Sequence, residues 1–235
     1  EVSYRQAIIL SPQDAKAHNN LGVTLKELGR LEEAEASYRL AIALKPDYAE
    51  AHNNLGSMLR ELDRLEEAEV SYRQAIALEP DYYRAHNNLG MTLVALGRLE
   101  EAEASYRQSL ILRPNYAKAH NNLGNLLQQL VRTDEAAVCL STAIALKPEY
   151  GEAHSNLAII LQALHKFKQA EVSFRQAIIL NPNMAQAHNN FGNLLKELGK
   201  LEEAEASYKQ AILLDPDLAE VYSNLGTLLT DLKKW

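Results

Sequence analysis

The sequence predicts an all-α solenoid assembled from 34-residue helix-turn-helix repeats, and three observations predict it. Pro12, Pro46, Pro80, Pro114, Pro148, Pro182 and Pro216 each stand 34 residues from the next. Six residues after the prolines come His18, His52, His86, His120, His154 and His188, with Tyr222 in the last copy. Three further on is Leu21, Leu55, Leu89, Leu123, Leu157, Phe191 and Leu225, followed by Gly in every copy except Ala158. A fixed period of this length marks a repeat architecture, in which each unit buries its apolar face against its neighbours.

Within one unit the periodicity is helical. Ala17, Leu21, Leu25 and Leu28 form one stripe at i, i+4, i+8 and i+11, the spacing of a single helix face. Gly29 and Arg30 interrupt it. Leu31, Ala34, Tyr38, Ala41 and Ile42 form a second stripe that ends before Pro46, where the missing N–H enforces a break. Asp47 is expected to cap the next helix, with Glu50 completing a capping box. Small residues recur at Gly22, Ala34 and Ala41. A mid-helix glycine costs about 1 kcal/mol against alanine, so its recurrence implies close helix packing. Counting from the prolines, residues 1–235 form a single array of about fourteen helices. It has six full repeats at 15–48, 49–82, 83–116, 117–150, 151–184 and 185–218. Residues 1–14 supply only a second helix, and 219–235 only a first helix. Trp235 takes the slot of Leu31, where a new helix should begin, and the first residue is Glu1. Without polar end caps, the array is expected to be a fragment of a longer protein.

Composition narrows the function classes. Apolar residues make up 47%, charged residues 23%, and the net charge is -7, values ordinary for a soluble, well-packed chain. Acidic and basic residues interleave, without the Lys/Arg clusters that neutralise phosphates, so nucleic acid is not an expected partner. No apolar run approaches the ~18 residues of a membrane span. Cys139 is the sole cysteine, so there is no disulfide framework, and a reducing, cytoplasmic setting is expected. The histidines, one per repeat, should stack at helix spacing rather than converge on a metal, and are expected to pack between helices. No nucleophile–base signature or Gly-rich phosphate loop is present. Neither catalysis nor a cofactor is predicted.

On the second helices, Glu35/Arg39 recurs as Glu1/Arg5, Glu69/Arg73, Glu103/Arg107, Glu171/Arg175 and Glu205/Lys209. Such i, i+4 pairs contribute about 0.2–0.5 kcal/mol each, which suits a solvated outer face. The pattern fails over Val131–Ser141: Val131 replaces a loop glycine, Leu140 replaces tyrosine, and the charged pair is lost, with His165 and Phe167 following. Neutral drift explains this; a sharper reading is a self-association or docking patch on the outer face.

The open face of the first helix follows from a helical wheel centred on Leu21. Lys16, Asn20 and Glu27 lie on a shoulder roughly 100–140° from the core direction, with Asn19, Val23 and Lys26 on the far side. One slot never varies: Asn20, Asn54, Asn88, Asn122, Asn156, Asn190 and Asn224. The adjoining slot holds Asn19, Asn53, Asn87, Asn121 and Asn189, but Ser155 and Ser223 in the other two copies. A side-chain amide offers donors and an acceptor that complement a peptide bond. Both rows are therefore candidate peptide-binding residues for an extended polypeptide held with little sequence selectivity. The competing reading is structural, with the amides bonding a neighbouring helix and fixing the rotation between repeats.

The pattern His18-x-x-Leu21-Gly22-x-x-Leu25, then Ala34-x-x-x-Tyr38, then Pro46 resembles the tetratricopeptide repeat over the whole chain. His for the usual Trp and Leu for the usual Tyr depart from the family without disturbing its spacing. The resemblance implies a right-handed superhelix whose first helices line a concave groove that receives a protein partner. The strings His-Asn-Asn-Leu-Gly and His-Ser-Asn-Leu-Ala also look like the repeats of O-linked N-acetylglucosamine transferases, which implies an asparagine ladder that holds substrate backbones. The family's carboxylate clamp would need lysine in the slot of Asn19, and this chain has Asn or Ser there. Two hosts follow: the substrate-recruiting arm of such a glycosyltransferase, or a non-enzymatic scaffold that assembles complexes.

Overall fold

The computed structural model describes residues 1–232; Trp235, placed above in the Leu31 slot, lies outside them. The described residues form fourteen helices: α1 (Val2–Leu10), α2 (Ala15–Glu27), α3 (Leu31–Leu44), α4 (Ala49–Glu61), α5 (Leu65–Leu78), α6 (Tyr83–Ala95), α7 (Leu99–Leu112), α8 (Ala117–Gln129), α9 (Thr133–Leu146), α10 (Gly151–Ala163), α11 (Phe167–Leu180), α12 (Ala185–Glu197), α13 (Leu201–Leu214) and α14 (Ala219–Leu232). They fall into two compact units, α1–α7 in residues 1–115 and α8–α14 from residue 116 onward. Each unit is described by itself.

Within the units α4, α6, α10 and α12 each pack on their own second helix and on both helices of the preceding repeat. First helices approach one another backbone to backbone, as in α2–α4, α4–α6, α8–α10 and α10–α12, whereas second helices of successive repeats meet only through side chains. The first helices therefore crowd one side of each unit and the second helices spread along the other.

Each hairpin turns through a residue in the left-handed region. Gly29 has φ 74°, and the turn closes with Gly29 N–H donating to Lys26 O at 3.0 Å and Arg30 N–H to Leu25 O at 2.9 Å, a Schellman arrangement. Gly97 and Gly199 repeat the conformation, but Asp63, Val131 and His165 fill the same slot with φ of 58°, 58° and 55°. A β-branched side chain there is strained, and Val131 is 83% exposed besides. Leu28 is 57% exposed, so the first-helix stripe ends at Leu25. The reason is that Leu28 already follows the helix end.

The small residues act as the periodicity implies. A Cβ placed on Gly22 would stand 2.7 Å from the Tyr38 ring, and one on Gly124 would stand 2.7 Å from Leu140 Cγ. Ala34, Ala41, Ala136 and Ala143 are fully buried. In the second unit Phe174, Phe191, Leu194, Leu195, Tyr208 and Leu228 continue one apolar core.

Two expectations about the turns are revised. Asp47 does not cap α4: the N-cap slot falls on Tyr48, which makes no side-chain cap bond, so no capping box with Glu50 forms. The helix starts one residue later than the box requires. Only at Asp14 does this slot hold a capping carboxylate, accepting from Lys16 N–H at 2.9 Å and Ala17 N–H at 3.1 Å. The histidines, in turn, reach back to the turn that precedes them. His18 Nε2 lies 3.0 Å from Pro12 O, and His52, His86, His154 and His188 repeat the bond to Pro46, Pro80, Pro148 and Pro182 at 2.9–3.1 Å. Tyr222 does the same through its hydroxyl, to Pro216 O at 3.2 Å. The six-residue proline–histidine interval is thus a latch that ties each helix to its incoming turn.

On the outer side the i, i+4 pairs join into rings that span repeats. Glu35 pairs with Arg39 at 2.7 Å, Arg39 with Glu67 at 3.5 Å, Glu67 with Arg64 at 2.7 Å, and Arg64 with Glu35 at 2.7 Å. Equivalent rings are Glu1–Arg5–Glu33–Arg30 and Glu69–Arg73–Glu101–Arg98. In the second unit Glu171 meets Arg175 and Lys200, and Arg175 also meets Glu203. Burial pushes the Glu35 carboxyl upward, but Arg64 and Arg39 outweigh it and hold it below the ordinary range. Lys200, opposed by burial and seconded by Arg175, lowers Glu171 in the same way.

Candidate functional site

The first helices of each unit place the asparagine rows at different depths. Asn19, Asn87, Asn121 and Asn189 have no exposed surface and Asn53 is nearly as buried. The wheel put this row on the far side of the helix; the next repeat covers that side, so these five side chains are not offered to a visitor. The Asn20 row, including Asn54, Asn88, Asn122, Asn156, Asn190 and Asn224, is half-buried throughout.

The rows bond to each other across repeats. Asn54 Nδ2 donates to Asn19 Oδ1 at 3.0 Å and Asn88 Nδ2 to Asn53 Oδ1 at 3.0 Å in the first unit. In the second unit Asn156 donates to Asn121 at 3.0 Å and Asn224 to Asn189 at 2.9 Å. The buried partner is oriented in turn: Asn121 Nδ2 donates to Glu152 Oε1 at 3.1 Å and Asn189 Nδ2 to Glu220 Oε1 at 3.0 Å. Asn190 differs, because Ser155 occupies its partner's slot; its own Oδ1 instead accepts from Gln186 Nε2 at 3.2 Å. The structural reading of the asparagines is therefore correct for the bridged members. It leaves an edge open, since the bridge takes one of two amide N–H groups. At Asn54, Asn156 and Asn224 the second N–H and the oxygen meet no other side chain among the described residues.

Charged residues flank the row on the same face. Lys26 pairs with Glu61 of the next repeat at 2.7 Å and donates to Ser57 at 3.1 Å. A cavity of about 340 Å³ beside them is lined by Val23, Tyr38, Asn54 and Ser57. Between α10 and α12 a wider cavity of about 730 Å³ is bounded by Ile159, Ala163, Phe167, Asn190, Asn193 and Glu197. Core tyrosines reach this face from below, as Tyr208 shows by donating its hydroxyl to Asn193 Oδ1 at 2.7 Å; burial pushes its pKa up to about 12, so the phenol stays a donor. Among the described residues no group of three or more His, Cys, Asp or Glu could hold a metal ion, and no helix is long and apolar enough to cross a membrane.

Stacked helix pairs that display one repeated row of side chains define the class: a helical-hairpin repeat protein, built for surface presentation. A family model described as TPR repeat matches residues 24–59, 56–97, 91–131 and 192–232. Tetratricopeptide-repeat models match 3–36, 117–150, 151–184 and 173–206. The chain belongs to the tetratricopeptide-repeat family, a family of protein–protein interaction modules. No curated protein sequence matches it. Similar solved structures include the APC/C hetero-tetramer Cut9-Hcn1, with a TM-score of 0.89 and 17% identity over 96% of this chain and 45% of that one. PilF of Pseudomonas aeruginosa gives 0.79 at 22% identity, over 91% of this chain and 98% of that one. YrrB, described as a TPR protein with an unusual peptide-binding site, gives 0.59 at 22% identity, over 78% and 95%. At these identities the shared property is the fold, and the chain spans under half the length of the Cut9-Hcn1 chain it matches.

Proposed function

We propose that the first-helix face of each unit holds an extended polypeptide through the open edge of the Asn20-row amides. The observation that supports this is the division of labour within each bridged pair. One N–H locks the amide to the preceding repeat, which fixes its direction, while at Asn54, Asn156 and Asn224 the other N–H and the oxygen meet no other side chain among the described residues. An amide oriented in advance loses less conformational entropy on binding than a free one. The complement of such a row is the backbone of an extended peptide, whose N–H and C=O groups are unpaired until bound. Selectivity then comes from flanking residues such as Lys26, Glu61 and Phe167 rather than from the amides.

Asn190 separates binding from folding, because it carries no bridge to the preceding repeat. A peptide selected from a library of disordered sequences displayed against this chain supplies the probe. Asn190→Ala weakens that peptide by roughly three- to tenfold, the equivalent of about one hydrogen bond, with the urea midpoint unchanged. An Asn190→Ala protein that binds as the parent does overturns the reading.

As to the host protein, the glycosyltransferase reading rests on the strings around His18 and His154, and the scaffold reading on the fold shared with Cut9-Hcn1. A full-length parent that transfers N-acetylglucosamine from a nucleotide sugar to protein establishes the first; a parent with repeats alone establishes the second.

A further inference from the structure

The outer side of the second unit breaks the pattern that the first unit keeps. Where α3 meets α5, the ring Glu35–Arg39–Glu67–Arg64 closes over the trough between the two second helices. The cavity above Leu55 and Leu59 is about 270 Å³. Where α9 meets α11, the same four slots hold Ala137, Ser141, Lys166 and Gln169. The cavity above Leu157 and Leu161 widens there to about 600 Å³. Val138 stands on its rim, 66% exposed.

Lys166 is the informative residue. Its counterparts Arg30, Arg64 and Arg98 each meet two carboxylates, and Lys200 meets one. Lys166 makes no ion pair among the described residues, because Ala137 and Gln169 stand where the two glutamates would be. The result is a leucine floor less covered than at α3–α5 (Leu157 half-buried and Leu161 9% exposed, against 5% and 1% for Leu55 and Leu59) beside a cation without a counter-charge. The Cα atoms of α9 and α11 stay more than 8 Å apart, as those of α3 and α5 do, and α10 forms the base between them. This is the geometry of a groove that accepts one further helix.

We propose that this trough docks an amphipathic helix of another protein, whose apolar side chains lie on Leu157 and Leu161 and whose carboxylate pairs with Lys166. The partner restores, from outside, the charge that the repeats elsewhere supply internally. A second copy of this chain is the less suitable occupant. The patch that would face itself in a two-fold contact is lined by Lys166 and no carboxylate, so a second copy brings a like charge and no partner for it. The surface lies on second helices, so the proposal is independent of the asparagine face.

The test is selection of a display library of helical peptides against the chain, followed by affinity measurement on two variants. The first carries Ala137→Glu, Ser141→Arg and Gln169→Glu, completing the missing ring around native Lys166; it copies a junction that this chain already folds at α3–α5. The second is Lys166→Glu. Circular dichroism confirms that both keep the parent's helical signal. The expected result is enrichment of peptides combining Leu, Ile or Phe with Asp or Glu. Completing the ring weakens them on the order of tenfold or more, Lys166→Glu shifts selection toward Lys- and Arg-containing peptides, and Asn190→Ala has no effect. Enriched peptides that bind both variants as well as the parent overturn the proposal, as does a selection with no enrichment over the ring-completed control. Concentration-dependent dimerisation, abolished by completing the ring, also overturns it by giving the trough to a second copy.

Discussion

The junctions α3–α5 and α9–α11 share one backbone plan, and among the side chains that differ are all four of the ring. In the first, two glutamates and two arginines cross between repeats and cover the leucine floor. In the second, one lysine remains and the cavity above the leucines widens to about 600 Å³. The helices, the buried alanines and the left-handed turn are unchanged between them. Architecture in this chain is therefore carried by the inner contacts, and the outer charges are free to differ without loss of the fold.

The largest expected effect probes that inner layer beneath the α9–α11 junction. Leu140 is fully buried against Gly124, and Leu140→Ala should cost roughly 2–5 kcal/mol in a urea titration. A loss below about 1 kcal/mol means the divergent repeat is not packed like its neighbours. Next in size is Val131→Gly, which relieves a β-branched residue at φ 58° and should stabilise by about 1 kcal/mol after the added freedom of the unfolded chain is offset. A destabilised variant contradicts the strain.

The outer charges should matter less. Completing the α9–α11 ring adds exposed ion pairs, worth at most about 1 kcal/mol and screened by salt; a larger, salt-insensitive gain would show that the rings are structural after all. The smallest effect is the response to acid. Glu35 and Glu171 have carboxyls held below the ordinary value of 4.5, so their contribution is complete above that pH and is lost as pH falls through the lowered folded values. Melting temperature should begin to fall below about pH 4.5 in the parent, with a shallower slope in Glu35→Gln. An identical slope in the two proteins removes Glu35 from the account.

Much of this was legible in the sequence because a repeat supplies its own controls. The proline period gave the hairpins, and the recurrence of Gly22 announced close helix packing, since a Cβ there would stand 2.7 Å from the Tyr38 ring. Of the residues that broke the pattern, Leu140 is core rather than surface, fully buried against Gly124, and neither it nor Val131 lines the wider cavity at α9–α11. What stayed hidden depends on neighbours. A wheel drawn for one helix cannot know that the next repeat covers Asn19. The rings were visible only as i, i+4 pairs, because Glu35 meets Arg64 across 29 residues. Asp47 failed as a cap because a helix starting one residue later moves the slot onto Tyr48.

We propose that the asparagine row both ties the repeats together and presents a binding edge. Measuring the selected peptide's dissociation constant for Asn190→Ala, in a protein shown to unfold at the parent's urea midpoint, tests it most directly. Weaker binding without loss of stability is the expected result; unchanged binding would contradict the binding edge and leave the row only its bridges between repeats.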